Sequence, residues 1–145
     1  MSDAIMRKDG NTLEVDAVTD MLPEVQAFVE EHLEALDCPM KVMMQIDVVV
    51  EEIFVNIAHY AYEQGCGKAT VLVETCNDPI SVKITFMDQG IPYNPLERED
   101  PDVTLKAQDR SIGGLGIYMT KKLMDDVAYE YKDGQNILTL KKAIQ

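Results

Sequence analysis

Residues 42–62 read VMMQIDVVVEEIFVNIAHYAY, and this stretch decides the fold. Its apolar side chains recur at steps of three and four residues, which predicts one long helix with a continuous apolar stripe. Val48, Phe54 and Val55 fall on the far side of the helix, so we expect it to be covered on more than one face. The stripe itself consists of Val42, Ile46, Val49, Val50, Ile53, Ile57 and Tyr60.

Two polar residues, Glu52 and Asn56, lie one helical turn apart at the border of this stripe. From that position a carboxylate and an amide can reach into a cleft while apolar neighbours limit the water around them. Polar groups on a mostly buried helix usually have a partner or a function. Taken alone, Glu52 is also compatible with a solvated residue at the flank of the helix.

Shorter elements are predicted on both sides of this helix. Alternation of polar and apolar residues predicts a strand over residues 11–17, and a helical pattern follows from residue 20 to about 37. Downstream, alternation predicts strands over residues 69–75 and 80–87, joined by a turn at Asn77-Asp78-Pro79. These two strands are expected to form an antiparallel hairpin with one face on the helices.

The last third of the chain begins with a long polar stretch. Residues 94–112 show no periodicity, and a loop of this length in a compact domain is typical of a functional lid or a disordered segment. A short helix is predicted to start at residues 113–116, followed by a hairpin of strands 127–131 and 136–140. The order β, α, α, β, β, lid, α, β, β predicts a two-layer α/β sandwich. Its sheet is mixed, mostly antiparallel and covered by helices on one face.

Length and composition fit one domain over residues 1–145, because a chain that is 46% hydrophobic can bury a sizeable core. Glu51 and Glu52 interrupt the longest apolar run, so no membrane-spanning segment is predicted. The first 11 residues lack the apolar core of a signal peptide, and a cytoplasmic location is therefore expected.

The net charge and the placement of the cysteines and histidines indicate which kinds of ligand and partner to expect. With 13 basic and 26 acidic residues the net charge is −13, which argues against direct nucleic-acid binding and favours basic partners. The cysteines lack metal-type spacing and read as reduced structural thiols; they are Cys38, Cys66 and Cys76. His32 and His59 are too isolated for a metal cluster, and a structural role is favoured for His59.

Two further segments have residue types suited to a ligand. Asp88-Gln89-Gly90 ends a predicted strand, where a carboxylate can accept a hydrogen bond from a planar ligand that the glycine lets approach. Gly113-Gly114-Leu115-Gly116 opens a helix, where backbone N–H groups can point at phosphate oxygens. Taken alone, the first segment is more simply a turn, and the second is equally well explained by packing at a helix start. Neither matches a P-loop or a dinucleotide fingerprint.

The order and spacing of these segments resemble the GHKL ATPase superfamily, with its N box and two glycine boxes. Within that superfamily the chain looks like the small bacterial anti-sigma-factor serine kinases. The matching phrases are EEIFVNIAHYAY, FMDQGIPYNP and GGLGIYMTKKLMDDVAY. The resemblance implies the histidine-kinase-like ATPase fold, with ATP and Mg²⁺ as ligands.

The resemblance also implies roles for individual residues. Glu52 matches the general base that takes a proton from the attacking hydroxyl. Asn56 matches the amide that holds Mg²⁺. Asp88 and Gly90 match the acid that accepts from the adenine amino group and the glycine that keeps the base pocket open. The backbone of Gly114, Leu115 and Gly116 matches the hinge of the lid that meets the phosphates.

Several positions stay open or depart from the family pattern. Tyr60 stands where many relatives have a histidine, so the neighbouring His59 is given no catalytic role. Glu51 is a poor candidate for the base because it is five positions before Asn56 and the family spacing is four. Arg110 could neutralise phosphate charge, and Thr139 could line the base pocket or be an ordinary strand residue.

The implied function is a serine/threonine protein kinase. It would phosphorylate a small anti-sigma-factor antagonist and hold a sigma factor in its other partner state. A second hypothesis is an ATP-binding switch or slow ATPase that acts through nucleotide-dependent partner binding. A third is an interaction module that has kept the fold without the nucleotide, which intact motif positions argue against. The family likeness leaves monomer and homodimer both open.

Overall fold

The computed structural model describes residues 6–62, 67–77, 80–97 and 114–144. Two short 3₁₀ turns, Thr19–Met21 and Pro95–Glu97, accompany the regular elements. The helices are α1 (Leu22–Ala35), α2 (Met40–Tyr60) and α3 (Gly114–Leu123). The strands are β1 (Met6–Asp9), β2 (Thr12–Asp16), β3 (Lys68–Cys76), β4 (Ser81–Asp88), β5 (Asp126–Lys132) and β6 (Gln135–Ala143).

The six strands form one sheet in the order β1-β2-β3-β4-β6-β5. Every neighbouring pair in it is antiparallel, so the predicted antiparallel character is confirmed and the mixed component has no counterpart among the described strands. Strand β6 lies between β4 and β5, and Asn136 is paired directly opposite Asp88. This register brings the end of β4 together with the start of β6.

Strand β1 was not predicted. Its sequence, Met-Arg-Lys-Asp, has no apolar alternation to distinguish it from a polar terminus. It pairs with β2 through a tight turn in which Gly10 has a φ of 57°. The predicted hairpin at the other end of the chain is confirmed: Asp133 and Gly134 have φ values of 55° and 78°, which suit a two-residue turn between twisted strands.

The core lies between the sheet and the helices. Alternate residues of β2, β3, β4 and β6 point into it, and α1 and α2 supply the opposite layer. The fold class is therefore confirmed as an α/β arrangement with helices on one face of the sheet. The largest fully buried side chains include Phe54, Phe86, Leu13, Leu33, Ile46, Ile84 and Leu140.

The long helix is confirmed within two residues at each end, and most of its predicted stripe packs into the core. Two details differ. Phe54 is fully buried as expected, but Val48 is 52% exposed, so the expected coverage on the far side is wrong at Val48. Tyr60 is 58% exposed because it stands at the last position of the helix, at the edge of a cleft.

Within the described ranges, no helix has the length and apolar content that crossing a membrane requires. Residues 98–112, which make up most of the predicted lid and include Arg110, lie outside those ranges. Cys66 lies outside them as well.

Candidate functional site

A cleft opens between the C-terminal half of α2, the end of β4, the start of β6 and α3. Its empty volume, open mouth included, is about 510 Å³. Three polar side chains, Asn56, Asp88 and Asn136, project into an otherwise apolar and aromatic lining. The apolar lining comprises Ile53, Ile57, Tyr60, Ala61, Phe86, Ile91, Tyr93, Pro95, Ile117, Tyr129 and Leu138. Such a cleft suits a flat heteroaromatic ring whose polar edge meets a few fixed groups.

Helix α2 brings Asn56 to this cleft. The residue is half-buried, with Ile53 and Ile57 beside it in the lining. Glu52 is also half-buried and stands one turn earlier, about 6 Å along the helix axis. Glu52 is not among the residues that line the cleft, and Glu51 is exposed. The two predicted functional residues of α2 thus share a helical face, and Asn56 alone contacts the cleft.

Asp88 is the last residue of β4 and is only 6% exposed. Its Oδ1 accepts hydrogen bonds from the Gly90 backbone N–H at 2.9 Å and from Asn136 Nδ2 at 3.0 Å. Both donors hold the carboxylate at the wall of the cleft. The predicted acid at a strand end is therefore present in the cleft, with a fixed side chain.

Gly90 is buried against the end of α2. A Cβ added there would lie 2.1 Å from the Ala61 carbonyl oxygen and 2.6 Å from the carbonyl carbon. The next residue, Ile91, donates its backbone N–H to the same Ala61 oxygen at 2.8 Å. The missing side chain thus lets the turn after β4 dock on the helix terminus, which is a different steric role from opening a base pocket.

Asn136 is a site residue that was not predicted from the sequence. It is only 8% exposed, and its side-chain amide makes four hydrogen bonds. Nδ2 donates to Asp88 Oδ1 and, at 2.8 Å, to the Ile91 carbonyl. Oδ1 accepts from the Tyr93 backbone N–H at 3.0 Å and from the Tyr129 hydroxyl. An asparagine at an inward position of a strand, two residues before Leu138, was the available signal, because buried amides need partners.

Thr139 belongs to the other face of the sheet. It is paired with Thr85 and alternates with the buried Leu138 and Leu140, and it is not part of the cleft lining. The structure thus favours the ordinary strand role for Thr139. His59 is exposed on α2, with its ring edge-on to Tyr60 at 6.0 Å, and it is likewise outside the lining.

Tyr62 links the start of β3 to the turn that follows β4. Its hydroxyl donates to the Lys68 carbonyl at 2.7 Å and accepts the Gln89 backbone N–H at 2.9 Å. Burial raises the pKa of Tyr62, and the nearby Asp88 charge adds to this, while these two hydrogen bonds act in the opposite direction. Gly67 leaves room for the ring, since a Cβ there would lie 2.1 Å from it.

The predicted glycine segment does open a helix, because α3 begins at Gly114 and includes Leu115 and Gly116. This helix packs against α2 and contributes Ile117 to the cleft. The start of α3 is therefore three residues from a cleft-lining position. Gly113 lies outside the described residues.

The ligand atoms available at the cleft determine whether a metal ion can bind there. Among the residues that the structure describes, no cluster of three or more His, Cys, Asp or Glu side chains could hold an ion. Asn56 nevertheless offers an amide oxygen at the cleft, and Mg²⁺ is commonly held by few protein oxygens together with phosphates and water. The residues present fit a magnesium ion that arrives with a phosphate ligand.

Comparison with known proteins agrees with this arrangement. Residues 15–142 match the model of the histidine kinase-like ATPase domain. The chain is 24% identical over 96 residues to serine-protein kinase RsbW of Bacillus cereus and 23% identical over 103 residues to that of Bacillus mycoides. These matches cover 65% and 68% of the chain. The chain spans 60% and 63% of the length of those relatives.

Two solved structures have a similar fold. The RsbU and RsbW domains of Rv1364c from Mycobacterium tuberculosis superpose with a TM-score of 0.62 at 16% identity, over 95% of this chain and 34% of the other. The SiaB-SiaC complex from Pseudomonas aeruginosa gives 0.53 at 21% identity, over 86% and 84%. The resemblance recognised from three sequence motifs is thus confirmed, and the chain belongs to the histidine kinase-like ATPase domain family.

Proposed function

We propose that this protein is an ATP-dependent serine/threonine protein kinase that phosphorylates a small regulatory partner. The observation that carries the proposal is the cleft in which Asn56 of α2 and Asp88 of β4 face the same apolar space. Glu52 lies one turn from Asn56, and α3 contributes Ile117 to the lining of the same space. Phosphoryl transfer from ATP uses a site that positions the nucleotide, a metal ion on the phosphates and a group that takes the proton of the nucleophile, and these residues could supply all three.

In this proposal the apolar walls hold the adenine ring and Asp88 accepts a hydrogen bond from its amino group. The amide oxygen of Asn56 would hold Mg²⁺, and the ion would supply positive charge to offset that of the phosphates. Glu52 takes the proton from the hydroxyl of the partner's serine or threonine as that oxygen bonds to the γ-phosphorus. The bond from the γ-phosphorus to the bridging oxygen breaks, and ADP leaves.

The partners follow from the relatives. Two matched curated proteins are named serine-protein kinase RsbW, and one similar structure is a complex of two proteins. We infer an anti-sigma-factor antagonist as the phosphoacceptor and a sigma factor as the alternative partner. We further propose that residues 1–145 act as a single nucleotide-binding unit in the cytoplasm, as a monomer or a homodimer. A role in transcription regulation follows from the sigma factor.

A second candidate function is an ATP-dependent binding switch without protein phosphorylation. The position of Glu52 favours it, because this carboxylate is not among the residues that line the cleft. In that case the nucleotide controls partner affinity, and Glu52 either activates a water molecule for ATP hydrolysis or has no catalytic role.

Incubation of the full chain with γ-labelled ATP, Mg²⁺ and proteins captured in its presence separates the two functions. Phosphoserine or phosphothreonine on a captured protein supports the kinase. Free phosphate, or nucleotide-dependent capture without label, supports the switch. Absence of thermal stabilisation by Mg-ATP would contradict both.

A further inference from the structure

We propose that β5, at one edge of the sheet, pairs with β5 of a second copy of this chain and joins two sheets into one across a two-fold axis. The inference goes beyond the proposed function, because it assigns an interaction surface and identifies its partner. It does not depend on nucleotide binding. Of the monomer and the homodimer that the family likeness leaves open, it selects the homodimer.

Strand β5 has the features of an edge that can accept another strand. It is the last strand in the order of the sheet, and all seven of its residues pair with β6 without a bulge. It contains no proline, and it is longer than the opposite edge strand β1, which has four residues. Natural sheets usually protect an edge by a short strand, a proline or a bulge. Strand β5 therefore offers a second row of backbone donors and acceptors along about 20 Å.

Side chains on both faces of β5 are open to a partner. The even-numbered residues point away from the helices and are all exposed. The odd-numbered residues point towards the helices, where Val127 and Tyr129 pack against the core. Tyr131, at the end of the same row, is 46% exposed. The described part of the chain thus leaves this margin accessible, with an aromatic ring that a second strand could cover.

The sequence of β5 is complementary to itself in the antiparallel direction. In a symmetric pair the first residue of each strand lies opposite the last, so Asp126 meets Lys132 of the second copy on both sides of the axis. Opposite charges directly across two strands are stabilising. A two-fold axis perpendicular to the sheet places like-facing side chains opposite each other, so the register can change only in steps of two residues. A shift by two in either direction pairs only five residues and places Glu130 opposite an acid, either Asp126 or Glu130 of the second copy.

The helix-facing row of side chains supports the same register. It places Tyr129 opposite its own copy at the axis, and Val127 opposite Tyr131 of the second copy. Pairs of aromatic residues, and of an aromatic with a β-branched residue, are favourable across antiparallel strands. Because Tyr129 also lines the cleft, the two clefts of this dimer lie on either side of the axis.

The overall charge of the chain opposes this association, which makes the local charges decisive. Two copies of net charge −13 repel each other at long range. At about 0.15 M salt the screening length is about 8 Å, so distant repulsion is largely removed, whereas opposite charges in direct contact across the strands are screened less. The association should therefore be measured at this salt concentration.

Sedimentation equilibrium of the full chain without nucleotide measures the association. We expect the wild-type chain to form a dimer with a Kd below about 0.1 mM. Lys132→Asp or Asp126→Lys places like charges opposite each other twice per dimer, so each variant should raise the Kd by at least about tenfold. An equimolar mixture of the two variants restores opposite charges at both positions. It should therefore form heterodimers with an affinity within about threefold of that of the wild-type dimer.

Lys41→Asp is the matched control, because it makes the same change of net charge at an exposed residue of α2. It should leave the Kd within about threefold of the wild-type value. Lys132 lies opposite Gln135, so its substitution should leave the fold intact, which thermal unfolding checks. If Asp126→Lys is unfolded because it adds a lysine opposite Lys141, the comparison of Lys132→Asp with Lys41→Asp decides.

Three results would overturn the inference. A wild-type chain that is still monomeric at about 0.1 mM would leave the edge of β5 to an extended segment of another protein. Equal dimerisation of Lys132→Asp and Lys41→Asp would place the interface on another surface. A mixture of two folded variants that forms no heterodimer would exclude the charge pairing. The measurement contains no ATP, so its failure leaves the proposed kinase intact, and a chain that dimerises without binding ATP would contradict only the kinase.

Discussion

Glu52 and Asn56 stand one turn apart on α2, yet only Asn56 contacts the cleft. A base that acts on a protein substrate must meet a hydroxyl that arrives from outside, so it belongs at the edge of the nucleotide site. Glu52 is half-buried and outside the cleft lining, so the kinase proposal requires the partner's hydroxyl to reach it there, whereas the switch does not. Substituting the two residues one at a time should therefore separate a loss of catalysis from a loss of metal binding.

Glu52→Ala should retain ATP affinity within about threefold and lose phosphoryl transfer by about a hundredfold or more, because a general base contributes that much. Transfer of labelled phosphate to the captured partner and calorimetric titration with ATP measure the two effects. The matched control is the exposed neighbour, Glu51→Ala, which should leave both unchanged. Equal losses of ATP binding in Glu52→Ala and Asp88→Ala would contradict the assigned roles.

Asn56→Ala should weaken ATP binding about tenfold in the presence of Mg²⁺ and much less in EDTA, because the lost atom is a metal ligand. Titration of both proteins with ATP under the two conditions gives the comparison. A variant whose affinity depends on Mg²⁺ as strongly as the wild type does would count against this ligand.

Gly90→Ala should destabilise the fold by about 1 to 3 kcal/mol, since the added methyl group meets backbone atoms of Ala61 that cannot move aside. Denaturant unfolding measures the change. Gly10→Ala is the comparison, because Gly10 has open space around it and loses only its backbone freedom at a φ of 57°. A smaller loss in Gly90→Ala than in Gly10→Ala would show that the turn can shift away from α2.

Residue-level prediction from sequence reached Asn56 and Asp88 because a motif identified them, and it missed Asn136 because no motif did. The inward face of β6 can be assigned only when its register is known, and a shift of one residue exchanges Asn136 and Leu138 for Ile137 and Thr139. Thr139 was considered for the pocket because it lies in the last predicted strand. Pairing with Thr85 on the neighbouring strand β4 resolves the choice.

At the scale of elements, α1 and α2 carry a pair of acidic side chains at their contact. Burial raises the pKa of Asp47 to about 7, and the hydrogen-bonded, like-charged carboxyl group of Glu30 adds to the shift. Within the described residues, Asp47 Oδ1 is buried without a hydrogen-bond partner. Near pH 7 the folded protein therefore still holds this proton about half of the time, whereas the unfolded chain releases it near pH 4.

This pair gives stability that is full below the ordinary pKa of 3.8 and is lost as the pH rises through about 7. Glu30→Gln removes the like charge and supplies a donor, so it should stabilise the protein by about 1 kcal/mol at pH 8, a figure lowered for partial exposure. At pH 5 the gain should be much smaller. Urea unfolding at both values tests this. The exposed Glu34→Gln should change stability equally at the two values, and a gain for Glu30→Gln that does not depend on pH would contradict the pairing.

Element boundaries were predictable where the sequence contains a strong period or a breaker. The apolar stripe predicted α2, whose N-cap in the structure is Pro39, and alternation predicted the last hairpin, whose turn is Asp133-Gly134. Strand β1 was missed because its identity comes from pairing with β2, a tertiary contact that its four residues do not encode locally.

At the scale of the whole molecule, a protein of net charge −13 is proposed to bind an anionic nucleotide. Long-range repulsion should slow the encounter, and salt should relieve it. We expect the association rate constant for Mg-ATP to rise severalfold between about 0.02 and 0.2 M salt, where screening becomes effective. Stopped-flow measurements at constant free Mg²⁺ test this, with uncharged adenosine as the control. A rate that falls with salt would indicate a basic entrance in spite of the overall charge.

The overall architecture was the most predictable feature, since alternating and helical periods along the chain define the layers without any tertiary information. The convergence of α2 and β4 on one cleft was a hypothesis from motif order, and the structure brings Asn56 and Asp88 together. The contribution of β6 required the strand order, which local periodicity does not determine.

Because β6 follows β5 in the sequence yet inserts between β4 and β5, a fragment that ends before residue 135 leaves one edge of β4 without a partner strand. An unpaired strand edge exposes backbone N–H and C=O groups that can pair with another chain. Such fragments should therefore self-associate, and proteolysis that removes β6 should aggregate the protein as well as open the cleft.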